Sequence, residues 1–243
     1  MKPKEEFLQD AEETLSIIYD MIKNLKRVSL SKFSANDTVF IIIDMINGFV
    51  KKGPLSSNRI YQINEKVADL AQKMAEKRIE TLVFADSHAI DNPEFLSYPV
   101  HCLTGSDESK LTDEIARKAK YTLIKKNSTN AFLVPEFLEW LSRHEDIKNF
   151  IVVGNCTDIC VLQFVVTLKA WFHQNNKNVL VTVPAEFVQT YDSDIHHGDF
   201  FHLTALYQMI LGGIEVVLTI EDEKEQVDGR TILQYKTKPN DAD

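Results

Sequence analysis

Apolar runs of four to seven residues alternate with longer segments of helical periodicity along most of this chain. The runs predict strands at residues 38–43, 80–85, 121–124, 150–154, 178–183 and 214–220. Helical patterns between them cover residues 59–77, 109–119, 134–144, 158–175 and 199–211. Several runs are continuously apolar, which is typical of parallel strands covered by helices on both faces. The pattern therefore predicts an α/β fold: a three-layer, doubly wound domain with a mostly parallel six-stranded sheet.

The amino-terminal segment precedes the first predicted strand and has its own pattern. Residues 4–26 carry apolar side chains at helical spacing: Phe7, Leu8, Ala11, Leu15, Ile18, Ile22 and Leu25. We interpret residues 1–36 as an N-terminal helical extension that packs on the core or on a partner chain. The second of these arrangements would make the protein a homo-oligomer. Residues 37–221 form the predicted α/β domain, and residues 222–243 form a charged tail in which we read no function.

The composition of the chain argues against some kinds of binding partner. The chain has 243 residues, of which 44% are hydrophobic and 26% charged, and these are ordinary values for a globular domain. A net charge of −9 argues against nucleic acid or an anionic membrane as the main partner. No apolar run approaches a membrane span, and the amino terminus turns acidic where a signal peptide would be apolar. Three cysteines suggest free thiols in a reducing compartment, so we expect a cytoplasmic protein with a small-molecule partner.

Chemically active side chains follow four of the predicted strands. Asp44 follows the first, Asp86 and His88 the second, Lys126 the third, and the segment "NCTDIC" with Cys160 the fourth. Each residue alone also has an ordinary structural interpretation: the aspartate could form a turn, the lysine could be solvated, and the cysteine could be a small buried residue. Because doubly wound folds bind ligands at the carboxyl ends of their strands, the coincidence predicts one shared site.

Cys160 has the surroundings of a nucleophile. It lies near the start of the helix predicted from Asp158, where the helix dipole would lower a thiol pKa and backbone N–H groups could hold an oxyanion. Lys126 would add positive charge, and Asp44 could accept the thiol proton. A redox pair with Cys156 is disfavoured because the spacing is not C-x-x-C, and a cysteine metal site would need further soft ligands.

A second cluster has the character of metal ligands. Asp86 and His88, two residues apart at a strand end, share one face, and Glu94 and His101 follow in the next loop. Two imidazoles with one or two carboxylates suit a divalent transition metal such as zinc, manganese or iron. The alternative is a hydrogen-bonded loop with a partly buried histidine.

The motifs together resemble the isochorismatase-like superfamily of cysteine hydrolases, and within it the nicotinamidases. The resemblance extends from about residue 38 to residue 219 and rests on "IIIDM", "DSH", "YPVHCLTG", "KNSTNAF" and "VVGNCTDICV". It implies a catalytic set of Asp44, Lys126 and Cys160 and a metal set of Asp86, His88 and His101, with Glu94 as a further carboxylate ligand. It also implies an oxyanion hole from the backbone N–H groups of Cys156 and Cys160, with a cis peptide bond at Asn155–Cys156.

Two departures from the family pattern lie in the presumed substrate pocket. The first loop reads "DMINGF" where many relatives have "DxQxDF", and Thr129 stands where nicotinamidases often have tyrosine. Phe49, Tyr98 and Phe132 remain as aromatic walls of the pocket, with ordinary core packing as the alternative for each.

The resemblance implies a metal-dependent cysteine amidohydrolase that converts nicotinamide to nicotinic acid and ammonia through a thioester, a reaction of NAD salvage. The implied cofactor is one divalent metal ion, zinc first, with manganese or iron as alternatives. One alternative is another isochorismatase-like hydrolase that acts on a different small amide or ureido substrate. An inactive relative that binds a metabolite or a partner through residues 1–36 is an alternative of another class.

Overall fold

The computed structural model of this protein describes residues 1–222, and a parallel β-sheet forms the centre of this part of the chain. The strands are β1 (Arg27–Ser29), β2 (Thr38–Ile43), β3 (Glu80–Asp86), β4 (Thr122–Lys126), β5 (Asn149–Asn155), β6 (Leu180–Pro184), β7 (Val188–Gln189), β8 (Glu215–Val217) and β9 (Thr219–Glu221). Six of them form the main sheet in the order β4-β3-β2-β5-β6-β8, and the two-residue β7 pairs with the end of β5 as a seventh strand. Every strand pairing within residues 1–222 is parallel. The predicted α/β class is confirmed.

Helices cover both faces of this sheet. They are α1 (Lys4–Lys23), α2 (Asn47–Val50), α3 (Asn58–Glu76), α4 (Asp113–Lys118), α5 (Pro135–Arg143), α6 (Leu162–Gln174) and α7 (Gly198–Leu211). The buried central strand β2 alternates its side chains between the two layers, as the period of a strand requires. Ile41 and Ile43 pack with apolar residues of α5, α6 and α7, whereas Phe40 and Ile42 pack with those of α3. These two cores produce the three layers that the sequence predicts.

The order of the strands creates a crevice between β2 and β5. The chain proceeds from β2 to β3 and β4 on one side, then crosses to β5, β6 and β8 on the other. Gly154, with φ +116°, allows the close approach of these strands, because a Cβ there would collide with the carbonyl oxygen of Ile43. Such a switch point is where doubly wound folds bind ligands, and Asp44 and Cys156 follow its two strands directly.

Some boundaries differ from the predicted ones. The strand predicted over 214–220 is two strands, because the chain leaves the main sheet at Leu218, whose N–H donates to the Lys26 carbonyl. After that residue β9 pairs with β1, a strand inside the segment predicted as a helical extension. The helix predicted over 109–119 begins only at Asp113, because the Thr112 side chain accepts the Ile115 N–H and caps it.

Helix α1 is attached to the body by its carboxyl-terminal half. Ile18 and Ile22 are its buried residues, and it packs on α7. The helix carries many charged side chains, and within residues 1–222 we find no helix long and apolar enough to cross a membrane. The predicted charged tail lies, after Asp222, outside the described residues.

Candidate active site

Asp44 is held rigidly at the carboxyl end of β2. It is fully buried and has a positive φ of 55°. Its N–H donates to the Phe84 carbonyl at 3.0 Å, and its Oδ1 accepts the Asp86 N–H at 3.0 Å. The Asn155 side-chain amide donates to the Asp44 carbonyl at 2.6 Å. These bonds to β3 and β5 fix the direction of the carboxylate.

Lys126 is the last residue of β4, and its ammonium group lies among three possible proton partners. Nζ is 2.8 Å from Asp44 Oδ2, donates to Asp86 Oδ1, and is 3.7 Å from Cys160 Sγ. Burial alone would lower the pKa of this lysine, but the charges of Asp44 and Asp86 outweigh burial and raise it well above its usual value. The side chain is therefore a buried ammonium ion, and it occupies the space beside Asp44, Asp86 and Cys160.

Cys160 lies in a π-helical turn, Thr157–Val161, between β5 and α6. The Asn155–Cys156 peptide is cis, as the resemblance implies, and the Cys156 carbonyl accepts the N–H groups of Ile159 and Val161. A π-turn inside a helix is a frequent feature of functional sites. The helix predicted to begin near Asp158 thus starts as this wider turn.

The predicted low pKa of the Cys160 thiol is wrong. Burial raises this pKa well above the usual value, Lys126 offsets only part of the effect, and the carboxylates of Asp44 and Asp86 add to it. Burial and the charge of Asp86 also raise the pKa of Asp44 to about 7. The thiol consequently needs a base beside it, and Asp44 lies in that position: the ligand atoms of Asp44, Asp86 and Cys160 are all within 4.8 Å of one another.

Asp86, His88 and His101 form the second cluster, with ligand atoms within 4.8 Å of one another. Asp86 Oδ2 is 3.4 Å from His88 Nε2 and 3.8 Å from His101 Nε2. His101 Nδ1 donates to the Pro99 carbonyl at 2.8 Å, so its Nε2 presents a lone pair to the cluster. The Asn92 amide lies 2.9 Å from His88 Nδ1, while His88 Nε2 is buried without a hydrogen-bond partner in residues 1–222. Two imidazole nitrogens and a carboxylate, with one of the nitrogens buried and without a hydrogen-bond partner, fit a divalent metal ion.

Glu94 lies beside this set of three. Its Oε1 is 3.8 Å from His88 Nε2, and its Oε2 accepts the Thr129 N–H at 3.1 Å. The carboxylate therefore lies beside the cluster on the same loop as His101, with one oxygen accepting a backbone N–H. Its ligand role stays a prediction.

Both clusters open into one pocket of about 410 Å³, open solvent at its mouth included. Its lining residues are Phe49, Leu55, Asp86, Glu94, Tyr98, His101, Thr129, Cys156, Ile159, Cys160 and Tyr191. Phe49 and Tyr98 thus lie where the sequence places them. Phe132 does not line this pocket of the described chain, because its short turn directs the ring into the core against Phe137 and Trp171.

Sequence reasoning missed three of the lining residues: Leu55, Ile159 and Tyr191. Ile159 belongs to the quoted cysteine segment, so its place beside Cys160 could have been inferred. Tyr191 follows β7, which is too short to be recognised from its pattern. The only sign of Tyr191 in the sequence was that an aromatic residue follows an apolar run, and this sign is weak by itself.

A parallel sheet that brings a cysteine, a lysine and an aspartate together at its switch point is the arrangement of an enzyme that attacks with a thiol. The family model of the isochorismatase domain matches residues 38–215. The chain belongs to the isochorismatase family, and it is an amide-hydrolysing enzyme of that family.

Individual relatives agree with this assignment. The chain is 31% identical over 215 residues to Nicotinamidase 1 of Arabidopsis thaliana, a match covering 75% of this chain and 86% of that protein. Its fold is similar to that of a nicotinamidase from Bacillus subtilis, with 25% identity, a TM-score of 0.63, and coverage of 74% and 99% of the two chains. It is also similar to that of a pyrazinamidase of Pyrococcus horikoshii in complex with zinc, with 21% identity, a TM-score of 0.61, and coverage of 74% and 98%.

Proposed function

We propose that this protein deamidates nicotinamide to nicotinic acid and ammonia, with Cys160 as the nucleophile. One observation carries the proposal: a thiol cluster and a histidine–carboxylate cluster share Asp86 and open into the same pocket. The curated relative of 31% identity is itself a nicotinamidase, which supports this substrate. The reaction would belong to NAD salvage, in the cytoplasm.

The proposed chemistry begins with Asp44 as general base. Asp44 accepts the Cys160 proton as sulfur attacks the amide carbon, and a pKa near 7 suits this exchange at neutral pH. The N–H groups of Cys156 and Cys160 hold the tetrahedral oxyanion. Asp44 then delivers its proton to the departing ammonia, which leaves a thioester on Cys160. Water attacks the thioester, Asp44 accepts a proton from it, and nicotinic acid and the thiol are released.

Lys126 keeps this proton exchange electrically balanced. Its ammonium group contacts Asp44, Asp86 and Cys160, so it offsets the negative charge wherever the proton moves among them. Asp86, His88 and His101 would hold the divalent metal, with Glu94 beside them. A metal bound there supplies a Lewis-acid anchor for the ring nitrogen of the substrate. We propose zinc first, with manganese or iron as alternatives.

The lining of the pocket supports a neutral, flat substrate. Phe49, Tyr98 and Tyr191 offer aromatic surfaces, and Leu55 and Ile159 are aliphatic. No lysine or arginine is among the described residues that line it. A ureido acid would bring a carboxylate near Asp86 and Glu94 with no lysine or arginine of the lining to pair with it, and the proposed metal is assigned to the ring nitrogen of the substrate. Nicotinamide carries no such charge.

The second candidate is a different small amide, and Thr129 is the observation that favours it. Thr129 lines the pocket where nicotinamidases often have tyrosine, and its hydroxyl donates to Gln163 Oε1 at 2.9 Å. A threonine there leaves more room in the pocket than a tyrosine would. Larger pyridine or pyrazine carboxamides are therefore the substrates to compare.

The test is ammonia release from nicotinamide, pyrazinamide and an N-carbamoyl amino acid by metal-replete protein, with elemental analysis of the same sample. We expect turnover of the two aromatic amides, loss with a chelator, and recovery on adding back the metal. Turnover of the N-carbamoyl amino acid alone would reject the substrate assignment and leave the hydrolase standing. Full activity in metal-free protein would reject the metal.

A further inference from the structure

Three stacked rings support one wall of the pocket from behind. His196 lies between Tyr191 and Phe201, with ring centroids 4.0 and 4.1 Å apart and interplanar angles of 5° and 4°. Tyr191 also lines the pocket, so the stack reaches from its aromatic wall to the first turn of α7. The orientation of this wall therefore depends on His196.

His196 also makes two hydrogen bonds that differ from those of an ordinary buried histidine. Its Nδ1 is 2.9 Å from the Tyr191 carbonyl oxygen, and its Nε2 is 2.7 Å from Asp158 Oδ2. Both partners offer acceptor oxygens, so the imidazole ring is held at both of its nitrogens. His196 thus connects the backbone of Tyr191 to the carboxylate of Asp158.

Asp158 belongs to the turn that carries Cys160. No side chain caps the amino terminus of that turn, so its own residues do not fix it in the usual way. Within residues 1–222, Asp158 Oδ1 is buried without a hydrogen-bond partner, so the bond to His196 fixes this carboxylate. Thr157 is tied separately, through a 3.0 Å hydrogen bond to His202 Nδ1. The nucleophile's turn is therefore held by His196, just before α7, and by His202, within it.

We propose that His196 is a positioning residue: it holds the turn of Cys160 through Asp158 and the aromatic wall through Tyr191, and so aligns nucleophile and substrate. The proposal rests on the proposed function only in taking Cys160 as the nucleophile. The two links act on different quantities. The bond to Asp158 sets the reactivity of Cys160, whereas the stack on Tyr191 sets the binding of the substrate.

Two variants separate these links. His196→Phe keeps the stacked ring and removes both donors, and His196→Gln keeps a donor for Asp158 and removes the ring. His144→Phe is the matched control, because His144 stacks on Trp140 at 4.3 Å and bonds its carbonyl, yet lines no part of this pocket. For each variant, kcat and KM with nicotinamide are measured, together with the iodoacetamide rate at Cys160 by peptide mass spectrometry.

We expect His196→Phe to lower kcat and the alkylation rate of Cys160 by about tenfold, with KM changed less than about threefold. His196→Gln should keep kcat within about threefold and raise KM by about fivefold, and His144→Phe should change neither quantity. A purely structural role would lower the melting temperature of both variants and leave kcat of the folded protein unchanged. If His196→Phe is insoluble, His196→Gln decides: a kcat reduced as much as tenfold there would overturn the proposal.

The alkylation rate distinguishes the two proposals, since it requires no substrate. If the wild-type protein does not act on nicotinamide, the substrate assignment fails, and the rate at Cys160 still tests His196. Equal alkylation rates in wild type and folded His196→Phe would reject the positioning role, whatever the substrate is.

Discussion

The two clusters of the site differ in how their buried charges are compensated. The thiol cluster consists of Asp44, Asp86, Lys126 and Cys160, and the histidine cluster consists of Asp86, His88 and His101. In the thiol cluster, the ammonium of Lys126 lies between the carboxylates of Asp44 and Asp86, so the buried charges compensate one another. In the histidine cluster, His88 Nε2 is buried without a hydrogen-bond partner among residues 1–222, and the nearest acidic oxygens, of Asp86 and Glu94, lie 3.4 and 3.8 Å away. A buried polar atom without a partner typically costs about 1–3 kcal/mol. The thiol cluster therefore contains a cation of its own, Lys126, whereas the histidine cluster offers the donor atoms of a candidate metal site.

Asp86 belongs to both clusters and divides its oxygens between them. Oδ1 accepts from Lys126, and Oδ2 faces His88 and His101. The pKa of Asp86 illustrates the balance: burial would raise it, but Lys126 and the two histidines outweigh burial and hold it well below its usual value. The comparison predicts that chemistry and metal binding can be removed separately. Two experiments test this separation, and two with smaller effects test the support of the thiol cluster and the identity of the nucleophile.

The largest effect is expected for Cys160→Ala. Loss of the nucleophile should reduce turnover by about 10⁴-fold or more, because the proposed mechanism forms the thioester on Cys160 alone. The bound metal, measured by elemental analysis, should stay at the wild-type ratio since Asp86, His88 and His101 are intact. Substantial remaining amidase activity would contradict the thioester mechanism.

The reverse experiment is His101→Ala. Removal of one imidazole should eliminate stable metal binding and reduce turnover by about 10²–10³-fold through loss of substrate orientation. Alkylation of Cys160 should stay within about threefold of wild type, because the thiol cluster carries its own countercharge. His173→Ala, an exposed histidine on α6, is the control for nonspecific metal binding. If Cys160 became unreactive as well, the two clusters would not be separable.

The support of the thiol cluster by α7 should appear in the pH dependence of stability. Burial, followed by the charge of Arg59, lowers the pKa of His202 from 6.5 to about 4. As the pH falls below 6.5, His202 becomes protonated in the unfolded chain before it does so in the folded protein. The contribution of neutral His202 to stability is therefore fully present above pH 6.5 and is lost as the pH falls towards 4. The free energy of unfolding should decrease by up to about 3 kcal/mol across this range. His202→Asn should flatten the urea-derived stability curve, and His173→Asn should leave it unchanged.

The smallest effect is expected for Cys156→Ala. Cys156 lines the pocket, but the proposed mechanism uses only its backbone N–H, which alanine keeps. Burial, followed by the charge of Asp158, raises the pKa of its thiol, and the ammonium group of Lys126 lies beside the thiol of Cys160 instead. Turnover and metal content should both stay within about threefold of wild type. A loss of turnover comparable to that of Cys160→Ala would show that the proposed mechanism assigns the nucleophile to the wrong cysteine.

Residues at strand ends were predictable because each follows a buried apolar run whose direction is set by the parallel sheet. Asp44, Asp86 and Lys126 follow from this rule, and the motif around Cys160 supplied the fourth. Tyr191 and His196 did not follow from it, since they leave no periodic pattern and are brought to the site by the two-residue strand β7 and the start of α7. Phe132 shows the converse: its position in a family motif gave no information on where its ring would point.

The sequence alone determined the α/β class, the strand ends that meet at the site and the residue types found there, because periodicity and motifs are local properties. Only the tertiary structure decided the electrostatics of these groups. Burial raises the pKa of Cys160, where its place near a helix start predicts the opposite, and Lys126 becomes the shared cation of two carboxylates. Desolvation and the distances between charges depend on all the elements that pack around a group, and neighbours along the chain do not specify them.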